Sequence, residues 1–166
     1  MSFQVRTSTE TDSDAVTALL QKSYATLLRD AYHADVLENA LPLITKARPE
    51  LLVSGSYFVA EDDDGRIIGA GGWTKHSPTG QNESPGNGNI RHFGTDPGHT
   101  GKGIGRSLMA HCVRDALKSG VTEFYCYSTL IGEAFYWACG FRSVEPFPIT
   151  LPGGVVFPSV RMIRSL

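Results

Sequence analysis

Three glycines at alternate positions, Gly101, Gly103 and Gly105, sit where an extended segment gives way to an amphipathic one. In a turn of that kind they let the backbone approach a ligand closely and aim successive N–H groups outward. The apolar residues Ile104, Leu108, Met109, Cys112, Val113, Ala116 and Leu117 then recur at helical spacing, and Gly120 supplies the stop. A helix start contributes its own unpaired N–H groups and partial positive charge, so strand, turn and helix together suit a phosphate. Lys102 and Arg106 bring cationic side chains to the same place.

Two familiar phosphate loops do not fit. A Walker loop needs Ser or Thr after its lysine, whereas Lys102 precedes Gly103. A dinucleotide fingerprint needs the spacing G-x-G-x-x-G, and the chain offers G-x-G-x-G. A tight strand-to-helix turn with no ligand remains the alternative on this segment alone.

Periodicity organises the rest. Residues 3–7 alternate as a half-buried strand, and Glu10 to Asp14 supply capping and acidic first-turn residues for a helix carrying Val16, Leu19, Leu20, Tyr24 and Leu27. A second helix is expected over 34–45, kinked or split at Pro42, and a short helical turn over 48–54. Residues 57–61 and 66–75 read as strands joined at Asp62-Asp63-Asp64-Gly65. Residues 76–89, rich in Gly, Pro, Ser and Asn, read as a loop of the length that is usually functional or mobile. A strand over 89–95, the glycine turn and its helix, a strand over 123–128 and a short helix over 132–139 follow. Two final strands are expected over 141–151 and 155–163. This order predicts an α/β fold, a three-layer α/β/α sandwich around a mixed sheet, with residues 1–166 forming one domain.

Composition narrows the partners. A net charge of −2 gives no reason to expect nucleic acid or an anionic membrane. No apolar run is long enough to span a bilayer, and Met1 to Arg6 lack the apolar stretch of a leader, so a cytoplasmic protein is expected. Cys112, Cys126 and Cys139 form no CxxC pair and no metal-ligand spacing, which points to reduced, buried thiols and to no metal.

A second motif lies one strand beyond the glycine turn. Residues 97–105 resemble the acetyl-CoA pyrophosphate loop of the GNAT superfamily of acetyltransferases, usually written Q/R-x-x-G-x-G/A. Ala134-Phe135-Tyr136-Trp137-Ala138-Cys139-Gly140-Phe141 looks like the same superfamily's Phe-Tyr-x-x-x-Gly-Phe signature. The element order matches along nearly the full chain, with a central sheet that is mostly antiparallel in such proteins. Two positions depart from the pattern: Thr100 stands at the Q/R position, and Thr129 replaces an Asn often found seven residues before the tyrosine.

The resemblance implies acetyl-CoA as co-substrate and an amine of a small molecule or a protein as acceptor. The N–H groups of Gly101, Lys102, Gly103, Ile104 and Gly105 would hold the pyrophosphate, with Lys102 and Arg106 adding charge and Thr100 at the loop edge. Backbone groups of Phe93 and Thr95 would pair with the pantetheine arm as with an added strand. Tyr136 would be the general acid that protonates the departing thiolate.

Many relatives carry a glutamate base on the strand before the loop, but Asn89-Ile90-Arg91-His92-Phe93 has no carboxylate. His92 is the best-suited base there by its unperturbed titration range, and the alternative for it is a histidine hydrogen-bonded against a helix. Arg91, facing the cleft, would hold a carboxylate of an amino-acid-like acceptor; otherwise it is a surface charge. Glu83, His76 and His33 are weaker candidates, and proton loss through water to bulk needs no base. Strand alternation puts Asn89, Arg91, Phe93 and Thr95 on one face and Ile90, His92 and Gly94 on the other, unless a bulge reverses part of it. A fold that holds CoA as a sensor or scaffold without transfer stays open. So does a homodimer, because C-terminal strands in such folds often pair between subunits.

Overall fold

Strand β2 (Tyr57–Asp62) shows how the sheet sorts its apolar residues. Successive side chains of a strand point to opposite faces, so Phe58 and Ala60 join one buried cluster while Tyr57 and Val59 join another. The computed structural model describes residues 2–166. From the N-terminus come β1 (Phe3–Thr7), α1 (Ser13–Leu27), α2 (Ala34–Ile44) and α3 (Pro49–Leu52), then β2, β3 (Ile67–Thr74) and β4 (Asn87–Thr95). Helix α4 (Ile104–Lys118), β5 (Glu123–Ser128) and α5 (Glu133–Ala138) follow. The C-terminal part holds β6 (Arg142–Pro146), β7 (Ile149–Thr150), β8 (Val156–Phe157) and β9 (Val160–Ser165).

Seven strands form one sheet in the order β1-β2-β3-β4-β5-β9-β6. Among the described residues only the β4–β5 pair is parallel. The apolar stripe of α4, including Leu108, Met109, Cys112 and Ala116, covers one face together with Tyr136 and Phe141. Helix α1 covers the other through Val16, Leu19 and Leu20. A third cluster, Leu28, Tyr32, Leu37, Ala40 and Phe157, ties α2 to the small β7–β8 hairpin, with Tyr32 stacked on Phe157 at 4.6 Å between centroids. This is the expected three-layer arrangement around a mixed, mostly antiparallel sheet.

Three local expectations change. Helix α2 is not split at Pro42, which lies near its last residue Ile44; the missing N–H there costs one terminal hydrogen bond. Strand β4 begins at Asn87 rather than Asn89, because Asn87 and Gly88 pair with Glu123 and Phe124 of β5. The two long C-terminal strands are four short ones. Pro146, Pro148 and Pro158 lack the N–H that a continuous ladder needs, so the chain leaves the main sheet to make β7–β8 and rejoins it in β9. The three cysteines are free, Cys112 and Cys126 buried and Cys139 partly exposed. Among the described residues no helix is long and apolar enough to cross a membrane.

Candidate active site

Parallel pairing between β4 and β5 covers only Asn87–Asn89 against Glu123–Tyr125. Beyond it the strands diverge, and the gap opens into a cleft of about 790 Å³ that runs from the glycine turn to the far end of α1. One wall is Ile90 to Thr95 of β4, and the opposite wall is Cys126 to Thr129 with Gly132, Phe135 and Tyr136.

At one end sits the glycine turn. Gly101 and Gly103 have φ of +76° and +82°, and an added Cβ at either would meet nothing within 4 Å. Glycine takes these left-handed angles at little cost, and the open space over them is room for a ligand. The first backbone bond entering α4 runs from the Ser107 N–H to the Gly103 carbonyl at 3.0 Å. Among the described residues, no backbone N–H from Gly101 to Arg106 has a protein acceptor. Lys102 and Arg106 are exposed beside them, as is Thr100, whose hydroxyl leans on the Pro97 carbonyl at 3.4 Å. Asp96 accepts from the Gly98 N–H at 2.8 Å and from Lys22 at 3.0 Å.

In the middle of the cleft β4 carries a bulge. Gly72 pairs with Arg91 and Ala70 with Gly94, so Gly71 alone faces both His92 and Phe93. His92 takes a φ of +53°, rare for a side-chain-bearing residue. An added Cβ on Gly71 would lie 2.5 Å from the Phe93 ring, so the bulge needs glycine opposite it. The bulge revises the expected faces. Ile90 and Phe93 both pack toward α4, while Gly94, closest to Leu20, and Arg91 face the α1 side. The two faces alternate regularly only up to Arg91, because His92 turns to Ile44 of α2 rather than toward α4.

Tyr136 reaches the cleft from α5, 7% exposed and held edge-on against Phe93, Phe135 and Phe141. Burial pushes its pKa well above the ordinary tyrosine value, helped by the Cys126 thiol and Tyr24 nearby. It therefore stays protonated at neutral pH, with a proton to give. The Phe93 carbonyl, expected to face a pantetheine arm, already accepts the Tyr24 hydroxyl at 2.7 Å; a carbonyl has a second lone pair to offer. Thr95 lines the cleft further toward the turn. At the departure from the usual Asn, Thr129 Oγ1 accepts the Gly132 N–H at 3.0 Å and so caps the entry to α5.

His92 both borders the cleft and is hydrogen-bonded against a helix. Its Nε2 lies 2.7 Å from the carbonyl of Ile44, the last residue of α2. A carbonyl only accepts, so Nε2 carries the proton and Nδ1 keeps the lone pair. Burial lowers its pKa to about 4, with the Arg48 and Arg91 charges acting in the same direction. Arg91 lines the same cleft. Glu83, His76 and His33 are not part of the cleft wall; His76 is exposed, 3.8 Å from Glu83. Of the aromatic residues that bear on a pocket, Tyr24 lines the cleft, whereas Trp73 is core and donates to Asp115 at 2.9 Å. Trp137 is 54% exposed on the outer side of α5. Sequence reading missed Arg48, Ile44 and the β7–β8 residues of the wall. They come from three separate segments, and no periodicity links them.

The model of the acetyltransferase (GNAT) domain matches residues 54–143, from before β2 to the start of β6. A mycothiol acetyltransferase of Kocuria rhizophila is 34% identical over 87 residues, 51% of this chain; the match spans only 28% of that curated relative's length. A GCN5-related N-acetyltransferase from Rhodopseudomonas palustris superposes with a TM-score of 0.81 at 16% identity, covering 100% of this chain and 97% of the other. The PaiA N-acetyltransferase of Thermoplasma acidophilum, solved with coenzyme A, gives 0.74 at 17% identity with both chains fully covered. At such identities the likeness to solved structures is one of fold.

Proposed function

Since the chain belongs to the GNAT acetyltransferase family, we propose that it transfers the acetyl group of acetyl-CoA to a primary amine of a small molecule or a protein. The observation that carries this is the row of unengaged N–H groups from Gly101 to Arg106, opening into a cleft that leads to Tyr136. That row fits a diphosphate: the donors are backbone, pre-aimed, and at the positive end of α4. Lys102 and Arg106 add charge, while the open edge of β4 at Phe93 and Thr95 receives the pantetheine arm.

The co-substrate supplies an acyl group already activated as a thioester. The protein's part is to orient that group, exclude water and manage two protons. Tyr136, kept protonated by burial, gives a proton to the departing sulfur. His92 is neutral at physiological pH, and its Nδ1 lone pair accepts a hydrogen bond from the attacking amine. With so low a pKa it is a poor resting place for a proton, so the proton goes on through water to bulk.

One observation favours a second reading, a fold that binds CoA without transfer: no carboxylate side chain lines the cleft among the described residues. Thermal unfolding with acetyl-CoA, CoA and ATP, followed by thiol release with a panel of amines, separates the two. The expected result is stabilisation by acetyl-CoA and CoA but not ATP, and thiol release that depends on amine. Binding without any amine-dependent release would select the second reading, and no stabilisation at all would remove both.

A further inference from the structure

The end of the cleft remote from the glycine turn carries charge that acetyl transfer itself does not use. Arg91 is half-buried there, with Nη1 donating to Thr74 Oγ1 at 3.0 Å. Its Nε and Nη2 have no protein partner among the described residues. Arg48, just before α3, enters the same wall. Neither guanidinium takes part in any ion pair among the described residues. Glu50 acts on Arg91 only through space, while burial and Arg48 push its pKa below the ordinary arginine range. The half-buried Arg91 charge, with the exposed Arg48 charge beside it, is unfavourable until an anion joins them. Beside them the wall is apolar, formed by Leu27, Leu28, Ile44, Leu151 and Phe157.

We propose that this end binds the carboxylate of the acceptor, and that the acceptor is a free amino acid with an apolar side chain. Arg91 and Arg48 hold the carboxylate, and the Leu27–Phe157 wall holds the side chain. Arg91 lies just ahead of the β4 bulge, and Arg48, Arg91 and Tyr136 all line the one cleft. A carboxylate held by the arginines therefore keeps its own α-amine inside the cleft that Tyr136 enters. A protein amine brings no carboxylate at that distance, so this reading selects the small-molecule branch of the acetyl-transfer assignment on which it rests.

The test pairs apolar amino acids with their carboxamides and their decarboxylated amines, and adds phosphoethanolamine to represent a phosphate-bearing acceptor. Thiol release gives kcat/KM for each, and calorimetric titration into the CoA-loaded protein gives binding without turnover. The amino acid is expected to exceed its carboxamide by roughly a hundredfold in kcat/KM. In Arg91→Met that ratio falls to about threefold, with CoA affinity unchanged. The exposed Arg48→Met lowers the ratio about tenfold and keeps the question answerable if the first variant does not fold. The proposal is overturned if a carboxylate-free amine or phosphoethanolamine matches the amino acids, or if no amino acid of the panel binds the loaded protein. Tyr136-dependent transfer to carboxylate-free amines would leave acetyl transfer standing and remove this inference alone, whereas loss of CoA binding would remove both.

Discussion

The two ends of the cleft are built from different materials. At the glycine turn the contacts offered to a ligand are main-chain N–H groups, and the nearby charges, Lys102 and Arg106, are exposed. At the far end they are side chains, Arg48, Arg91 and His92, set by a bulge in β4 and by loops that meet only in the folded chain. A backbone site needs only the right dihedrals, so it tolerates almost any side chain except one that blocks the approach. A side-chain site changes character with each substitution. On the proposed reading the molecule separates a fixed donor end from an adjustable acceptor end, with Tyr136 between them.

The largest effect that would break this contrast comes from Gly103→Asp. The substitution puts a side chain at φ +82° and a negative charge over the free amides. Calorimetry should find CoA binding weakened by about a thousandfold or more, roughly 4 kcal/mol. Retained affinity would mean that the turn is not where the anion sits. Tyr136→Phe probes the middle. Losing only the hydroxyl should lower kcat about a hundredfold with little change in acetyl-CoA affinity. Unchanged turnover would take the tyrosine out of the chemistry and leave the transfer without an acid.

The smallest effect belongs to His92 and reads the acceptor end through pH. Its folded pKa of about 4 lies below the unfolded value of 6.5, so the unfolded chain takes up a proton first as pH falls. Above pH 6.5 the residue adds no pH dependence, and between 6.5 and about 4 it makes the folded state progressively less favourable. The contribution is about 2 kcal/mol, discounted because the ring borders an open cleft. His92→Asn keeps a residue that tolerates a left-handed φ. Urea unfolding of this variant should lose less stability than the wild type across that window, and equal losses would place the imidazole in water rather than against Ile44.

The same contrast explains what could be read from the chain. The glycine turn was legible because glycine at positive φ leaves a mark in the sequence, and Phe135 to Phe141 form one contiguous segment. The layers were legible because alternation in β2 and the apolar stripe of α4 are local patterns. The face of Phe93 was not, because one extra residue at His92 inverts everything after it. The hydrogen bonds that hold the bulge come from afar: Tyr57 donates to the His92 carbonyl at 2.7 Å, Tyr24 to that of Phe93, and His92 itself meets Ile44. Arg48 is anonymous for the same reason, since nothing in its neighbours foretells the wall it joins. The C-terminal strands were drawn too long because proline was weighed in α2, where it costs little, and not at 146, 148 and 158, where it breaks a ladder.

The short contact between β4 and β5 has a mechanical side. Three residue pairs join β1–β4 to the plate of β5, β9 and β6, with helices as outer bracing. On the proposed reading, a co-substrate lying in the opening would act as a keystone, finishing the sheet from its centre. Rigidity and occupancy would then rise together: at a hundredfold excess over Kd, mass action alone adds about 2.7 kcal/mol to the folded state, and the unoccupied chain would be the softer of the two forms.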